Sequence, residues 1–362
     1  IPENVTSIGD YAFSGCNGLA SITIPENVTS IGDYAFSGCN GLTSITIPEN
    51  VTRIGRYAFS GCSGLASITI PEGVTSIGDG AFYDCSGLAD IKISEGVTGI
   101  GDYAFSGCSG LTSVTIPESV TSIGAGAFAR CSGLTNISIP ASVVTMGKGE
   151  SFEDGWVFDG CNELTVQFEE GMTEIPNYAL YGSSGIVSVR IPSSVTRIGN
   201  EAFGNCRDLK VVFAYGMKSI PSRALYSASG VVSVTIPESV TSIGEYAFYG
   251  CSGLTSVTIP EGVTSIGSSA FEDCENLSIV FAEGMESIPS RALSNASGVV
   301  SVTMPESVTS IGEYAFSGCS GLTDIVYLGT KTQWNSMQKG VSWDFSTGNY
   351  TVHCTDGDLA KN

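Results

Sequence analysis

A 23-residue unit repeated head to tail constrains this chain more than any other feature. With IPENVTSIGDYAFSGCNGLASIT (residues 1–23) as the unit, further copies begin at Ile24, Ile47, Ile70, Ile93, Ile116, Ile139, Phe168, Ile191, Phe213, Ile236, Ile259, Phe281 and Met304, fourteen in all. Self-similarity at a fixed period overrides the expectation, from length alone, of two or three ordinary domains. The units ending at Gln167, Val212 and Val280 are one residue short, and the first of these also carries a seven-residue insertion, KGESFED at 148–154.

Because the copies align, each column shows which side chains its position accepts. The columns of Val5, Ile8, Ala12, Phe13, Leu19, Ile22 and Ile24 stay apolar and must face inward. Leu19-Ala-Ser-Ile-Thr-Ile24 has the L-x-x-L-x-L spacing of a leucine-rich repeat strand, with Ile22 and Ile24 pointing in and Thr23 out. Pro25, lacking an N–H, ends it. Val-Thr-Ser-Ile-Gly-Asp-Tyr-Ala-Phe is too short for a long helix and is expected as a turn or short 3₁₀ piece on the convex side. The Gly9 column also holds Pro176, Pro221 and Pro289, whose φ is fixed near −65°, so positive φ is not required in those copies. The same copies carry Leu180, Leu225 and Leu293 where Phe13 sits.

One such coil cannot bury both faces, so stability must come from stacking on its neighbours. The expected fold is a leucine-rich repeat solenoid, mostly β, a curved right-handed coil with a parallel concave sheet. At about 4.8 Å per strand the fourteen coils would span an inner arc on the order of 65 Å.

Eleven of the twelve cysteines share one column, which in the remaining copies holds Ser183, Ala228 and Ala296. Alanine replaces neither a metal thiolate nor a disulfide half, so buried free thiols filling the core are expected, with no metal site. His353 beside Cys354 lies in the strand-like YTVHC, where neighbours point to opposite faces, so the two form no dyad. Asp356-Gly-Asp358 supplies too few oxygens for a calcium loop. No phosphate or dinucleotide loop is present, and no catalytic residue or cofactor is expected.

Thirty-six acidic residues against fifteen basic ones give a net charge of −21, which disfavours nucleic acid as a partner. No apolar run approaches the ~18 residues of a membrane span. The start at a repeat boundary, Ile1, leads us to expect that the native protein continues upstream.

Three surfaces are candidates for partner binding. The outward strand positions form Ser and Thr columns, interrupted by Lys92, Gln167 and Arg190. These columns are either a solvated face or a docking surface, as the inner faces of solenoids often are. The Tyr11 column, which includes Trp156 and Tyr178, either covers the core edge or offers rigid contact area with a polar tip. The insertion and the residues after it place Phe152 and Trp156 among Glu150, Glu153 and Asp154. At the far end, residues 327–362 are expected to cap the solenoid of residues 1–326. Trp334 and Met337 would share a short helix closed by Gly340, and Trp343 would cover the last coil.

The IPENVTSIGDYAFSGC unit, together with the terminal IVYLGTKTQWNSMQKGVSW segment, resembles the BspA-like, Treponema-type leucine-rich repeat proteins of bacterial cell surfaces. The resemblance implies a surface-exposed or secreted protein with a role in adhesion to host matrix or other cells, and we expect a non-enzymatic, monomeric binding protein whose partner is a protein or glycan. The alternative is a spacer that presents other domains of a larger surface protein.

Overall fold

The computed structural model describes residues 1–147 and 155–361. They form two compact units, Ile1–Met172 with Pro176–Ser188 and Thr173–Ile175 with Val189–Asn362. Within each, successive coils stack as parallel ladders, and the fold is a mostly-β leucine-rich repeat solenoid. In the first unit Ser67–Ile70 pairs with Asp90–Ile93 and Asn136–Ile139 with Leu164–Phe168. In the second, Leu209–Phe213 pairs with Val231–Thr235, and a further run joins Ser256–Thr258, Ser278–Val280, Ser301–Met304, Asp324–Tyr327 and Thr351–Cys354. Ser67–Ile70 alternates exposed and buried residues, so Ile68 and Ile70 enter the core while Thr69 points out.

The segment expected to be a turn or 3₁₀ piece is turn from Asp10 onward, but its Ser7–Ile8 part carries a second parallel ladder. Ser7–Ile8, Ser30–Ile31, Arg53–Ile54, Ser76–Ile77, Gly99–Ile100, Ser122–Ile123 and Thr145–Met146 pair in sequence. Thr29 explains why it forms, because both its N–H (2.9 Å) and its hydroxyl (3.2 Å) donate to the carbonyl of Thr6 one coil earlier. Beyond it a third set of bonds joins the coils, with the N–H groups of Tyr11, Phe13 and Gly15 donating to the carbonyls of Asp33, Ala35 and Ser37. Presenting alternate N–H groups to the next coil requires left-handed backbone at Tyr11 (φ 56°) and Gly15 (φ 74°). Among the described glycines of the Gly9 column only Gly147 has a positive φ (67°), so left-handed backbone does not account for glycine in the other copies. A Cβ on Gly32 would lie 2.7 Å from the backbone nitrogen of Asp10, so at this coil the neighbouring backbone leaves no room for a side chain.

In coils with phenylalanine in the Phe13 column, the rings stack from one coil to the next. Phe13, Phe36, Phe59, Phe82 and Phe105 follow one another with centroids 5.1 to 5.5 Å apart and planes nearly parallel. Phe248 and Phe271 repeat this in the second unit at 5.0 Å.

The terminal segment contains a further coil that its sequence conceals. Lys331–Ser336 is a helix whose N-cap Thr330 and N3 residue Gln333 satisfy each other's backbone N–H groups, and it ends at Met337 in extended backbone. Gly340 therefore does not close it. Gln338–Lys339 instead joins the second ladder beside Ser310–Ile311, and Gly340 donates to Ile311 as Gly32 does to Ile8. Tyr314, Phe316 and Gly318 then donate to Val341, Trp343 and Phe345, and Ser342 and Ser346 take the left-handed places. Trp343 stands edge-on to Phe316 at 5.8 Å and to Trp334 at 6.0 Å, covering the last phenylalanine of the stack. Gly357–Ala360 finally pairs antiparallel with Thr351–Cys354. The antiparallel strand covers the edge of Thr351–Cys354 that the parallel ladder leaves open.

Candidate functional site

The repeated thiols are shaped for packing. Cys39, Cys62, Cys85, Cys108 and Cys131 are buried and unpaired, and each S–H donates to the phenylalanine carbonyl of the preceding coil at 3.0 to 3.2 Å. Burial pushes the thiols of Cys62, Cys161, Cys274 and Cys319 up to about 12, so they stay protonated near neutral pH and are poor nucleophiles there. His353 turns away from Cys354 and lies between two carboxylates, with Nε2 2.8 Å from Asp324 and Nδ1 3.0 Å from Asp358. Hydrogen bonds to Asp324 and then Asp358 raise its pKa. This arrangement clasps strands together.

The strand face presents the polar columns that the sequence implies. Lys92 projects from Asp90–Ile93, between Thr69 and Thr115 of the adjacent coils, and is exposed. Gln167, exposed on Leu164–Phe168, pairs with Ser138. Lys92 and Gln167 thus share a column three coils apart, about 14 Å at 4.8 Å per coil, and do not touch. Arg190 lies on Ile186–Ile191 in the second unit. There the neighbouring strand carries an exposed lysine on the same face, Lys210, which column reading did not single out. The unit ending at Val212 is one residue short, and the register shift it causes falls between Leu209 and Lys210.

The aromatic candidates do come together. Trp156 lies 4.3 Å from the ring of Tyr181, which Tyr178 meets edge-on at 5.8 Å. Tyr178 also lines a cleft of about 310 Å³ with Val144, Thr145, Gly147, Pro176 and Asn177. Val144 there is 69% exposed, a large apolar surface for a single valine. Tyr181 escaped the sequence reading because its column holds Ser14, Tyr83, Ala129 and Asp159 and looks neutral. Phe152 lies outside the described residues.

Elsewhere the tyrosine column is largely engaged with itself. Tyr11, Tyr34 and Tyr57 stack at 4.8 and 5.1 Å, which covers their faces and leaves edges and hydroxyls outward. Arg223 lies over the rings of Tyr226 and Tyr246, and Arg291 over Tyr314. The hydroxyl of Tyr249 is pushed up to about 12, chiefly by its hydrogen bond to Asp273.

Comparisons with known proteins agree with this architecture. A family model described as a BspA type leucine rich repeat region of six copies matches residues 1–112, 39–156, 76–210, 150–229 and 218–337. A leucine-rich repeat protein from Bacteroides ovatus ATCC 8483 is similar to 97% of this chain over 82% of its own, with 30% identity and a TM-score of 0.60. A leucine rich cell surface protein from Faecalibacterium prausnitzii A2-165 shares 29% identity over 93% of this chain and 89% of that one, with a TM-score of 0.35. The leucine rich repeat protein of T. pallidum shares 20% identity over 75% of this chain and 82% of its own, with a TM-score of 0.30. No curated protein matches the chain.

Proposed function

The chain belongs to the BspA-type leucine-rich repeat family, and from that premise we propose that it is a non-catalytic protein-binding scaffold on a bacterial cell surface or secreted from it. It works in adhesion to proteins of host matrix or other cells. The observation that best supports this reading is the strand face, where rigid parallel ladders hold exposed polar columns in fixed register and only a few positions, Lys92, Gln167 and Arg190 among them, break the monotony. A preorganised face of this kind loses little conformational freedom on binding. The aromatic cluster of Trp156, Tyr178 and Tyr181 is a second docking surface, rigid and amphipathic. The net charge of −21 argues against nucleic acid.

The alternative role, a spacer, draws on the uniformity of the Ser and Thr columns in the first coils. Purified protein tested against matrix proteins, glycans and intact cells separates the two. Micromolar or tighter binding that weakens on W156A or on the combined K92A, Q167A and R190A change supports the scaffold reading. Absence of any interaction in that range leaves the spacer.

A further inference from the structure

The basic residues are unevenly distributed. Residues 190–223 hold six of the fifteen, Arg190, Arg197, Arg207, Lys210, Lys218 and Arg223, against two of the thirty-six acidic ones, a local charge of +4 in a chain of −21. Two of the six, Arg190 and Lys210, sit on the strand face of the second unit. Along that face every outward strand position from Arg190 to Thr303 is Arg, Lys, Ser, Thr or Val, so the acidic surface of the molecule is excluded from it. Arg53, Arg56, Arg197 and Arg291 each have a carboxylate partner, whereas among the described residues Arg190 and Lys210 have none.

We propose that Arg190 and Lys210 form the anchor for an acidic, extended segment of a partner protein, two of whose carboxylates they receive. This deepens the scaffold reading and rests on it. Ala214 donates to Ile191 across the two coils, which sets Arg190 beside Val212, two residues beyond Lys210. One coil across and two residues along place their Cα atoms about 8 Å apart. Carboxylates at alternate positions of an extended peptide are about 6.6 Å apart, close enough for two long, flexible cations to meet both. Val212 and Val232, both half-buried, offer apolar contact beside the charges, and the exposed Ser233 and Thr235 offer hydroxyls. This mixture suits a peptide better than a sulfated glycan, which would need a longer basic track to offset repulsion from the rest of the molecule.

The test uses the full chain, a short fluorescent oligoglutamate peptide as probe, and the partner-protein panel of the preceding experiment. The variant R190T/K210S restores the residues that other coils carry at these places, Thr at Thr235 and Ser at Ser233, so it keeps the fold; R190E/K210E reverses the charge. We expect oligoglutamate to bind and to weaken with rising salt, as screening shortens from about 10 Å at 0.1 M to about 3 Å at 1 M. Either variant should then lose about tenfold or more in affinity. Oligoglutamate that binds wild type and both variants alike overturns the proposal. So does a heparin oligosaccharide that binds through these residues while the peptide does not. Partner proteins that bind wild type and both variants equally overturn the anchor and leave the scaffold reading intact, whereas a chain that binds neither peptide nor any protein ends both.

Discussion

The thiol of Cys62 donates to the carbonyl oxygen of Phe36 in the preceding coil at 3.2 Å, and the same oxygen also accepts the N–H of Cys39 at 3.2 Å. Where a cysteine follows, the phenylalanine carbonyl thus joins its own turn to the following coil. The sulfur does more than fill space, yet Ala228 and Ala296 show that the coil survives without it.

Accessibility and raised thiol pKa together predict the labelling pattern. In native protein at neutral pH a maleimide should modify Cys16, which is exposed, and at most slowly Cys354, whose pKa burial raises. Denaturant should release the ten buried cysteines. Mass spectrometry with and without guanidinium reads the result directly. Rapid native labelling of Cys62 or Cys108 would show that the coils open far more readily than their packing implies.

Phe59 has a stacked ring on either side, Phe36 at 5.3 Å and Phe82 at 5.4 Å. Truncation to alanine removes both contacts and leaves a cavity, costing about 3–5 kcal/mol. In a solenoid that loss falls on neighbouring coils through their shared interfaces. Hydrogen exchange should accelerate first in the coils on either side of residue 59, with the urea midpoint lowered. A uniform acceleration over the whole chain would instead mean that the array unfolds as one cooperative body.

The elements legible in the sequence are those in which a side chain sets the pattern. Ile68 and Ile70 alternating with Thr69 announced a strand, and serine or alanine in the cysteine column announced packing. Where backbone sets the pattern, the sequence said less. Ser7–Ile8 is too short to display a period of two, so the second ladder read as a turn. The last coil is hidden because Lys339 replaces the isoleucine and Trp343 the alanine, while the conserved features are left-handed backbone at Ser342 and Ser346 and close approach at Gly340. Of the candidate site, Trp156 stood out beside an insertion. Tyr181 and Lys210 did not, because each sits in a variable column and a missing residue obscured the register at Lys210.

Gly182 fixes the position of Trp156. Its φ is +67°, and an added Cβ would lie 2.2 Å from Cδ1 of the indole. G182A therefore meets both backbone strain, of order 1–2 kcal/mol for a left-handed residue, and a ring that must move. The expected outcome is a modest drop in Tm with a shift in tryptophan emission, and a loss of any partner binding that W156A also abolishes. Unchanged emission would mean that the ring and the glycine are not in contact in solution.

His353 is the only histidine in the sequence. As imidazolium it donates to Asp324 and Asp358 together; neutral, it can donate to only one. Its pKa is raised from 6.5 in the folded state, so its contribution is complete below pH 6.5 and fades as pH rises through the folded value. Asp324 is shifted the other way from 3.8, first by Thr323 and then by His353, so its contribution is present above 3.8 and fades as pH falls through its lowered value. The clasp between Asp324–Tyr327, Thr351–Cys354 and Gly357–Ala360 should therefore be tightest between about pH 4 and 6.5. The carboxylates are well exposed, so the effect is small and should weaken with salt. Hydrogen exchange in residues 351–360 should be slower at pH 6 than at pH 8 after correction for intrinsic rates, and H353N should remove that difference. If it persists in H353N, another group governs the closing of this end.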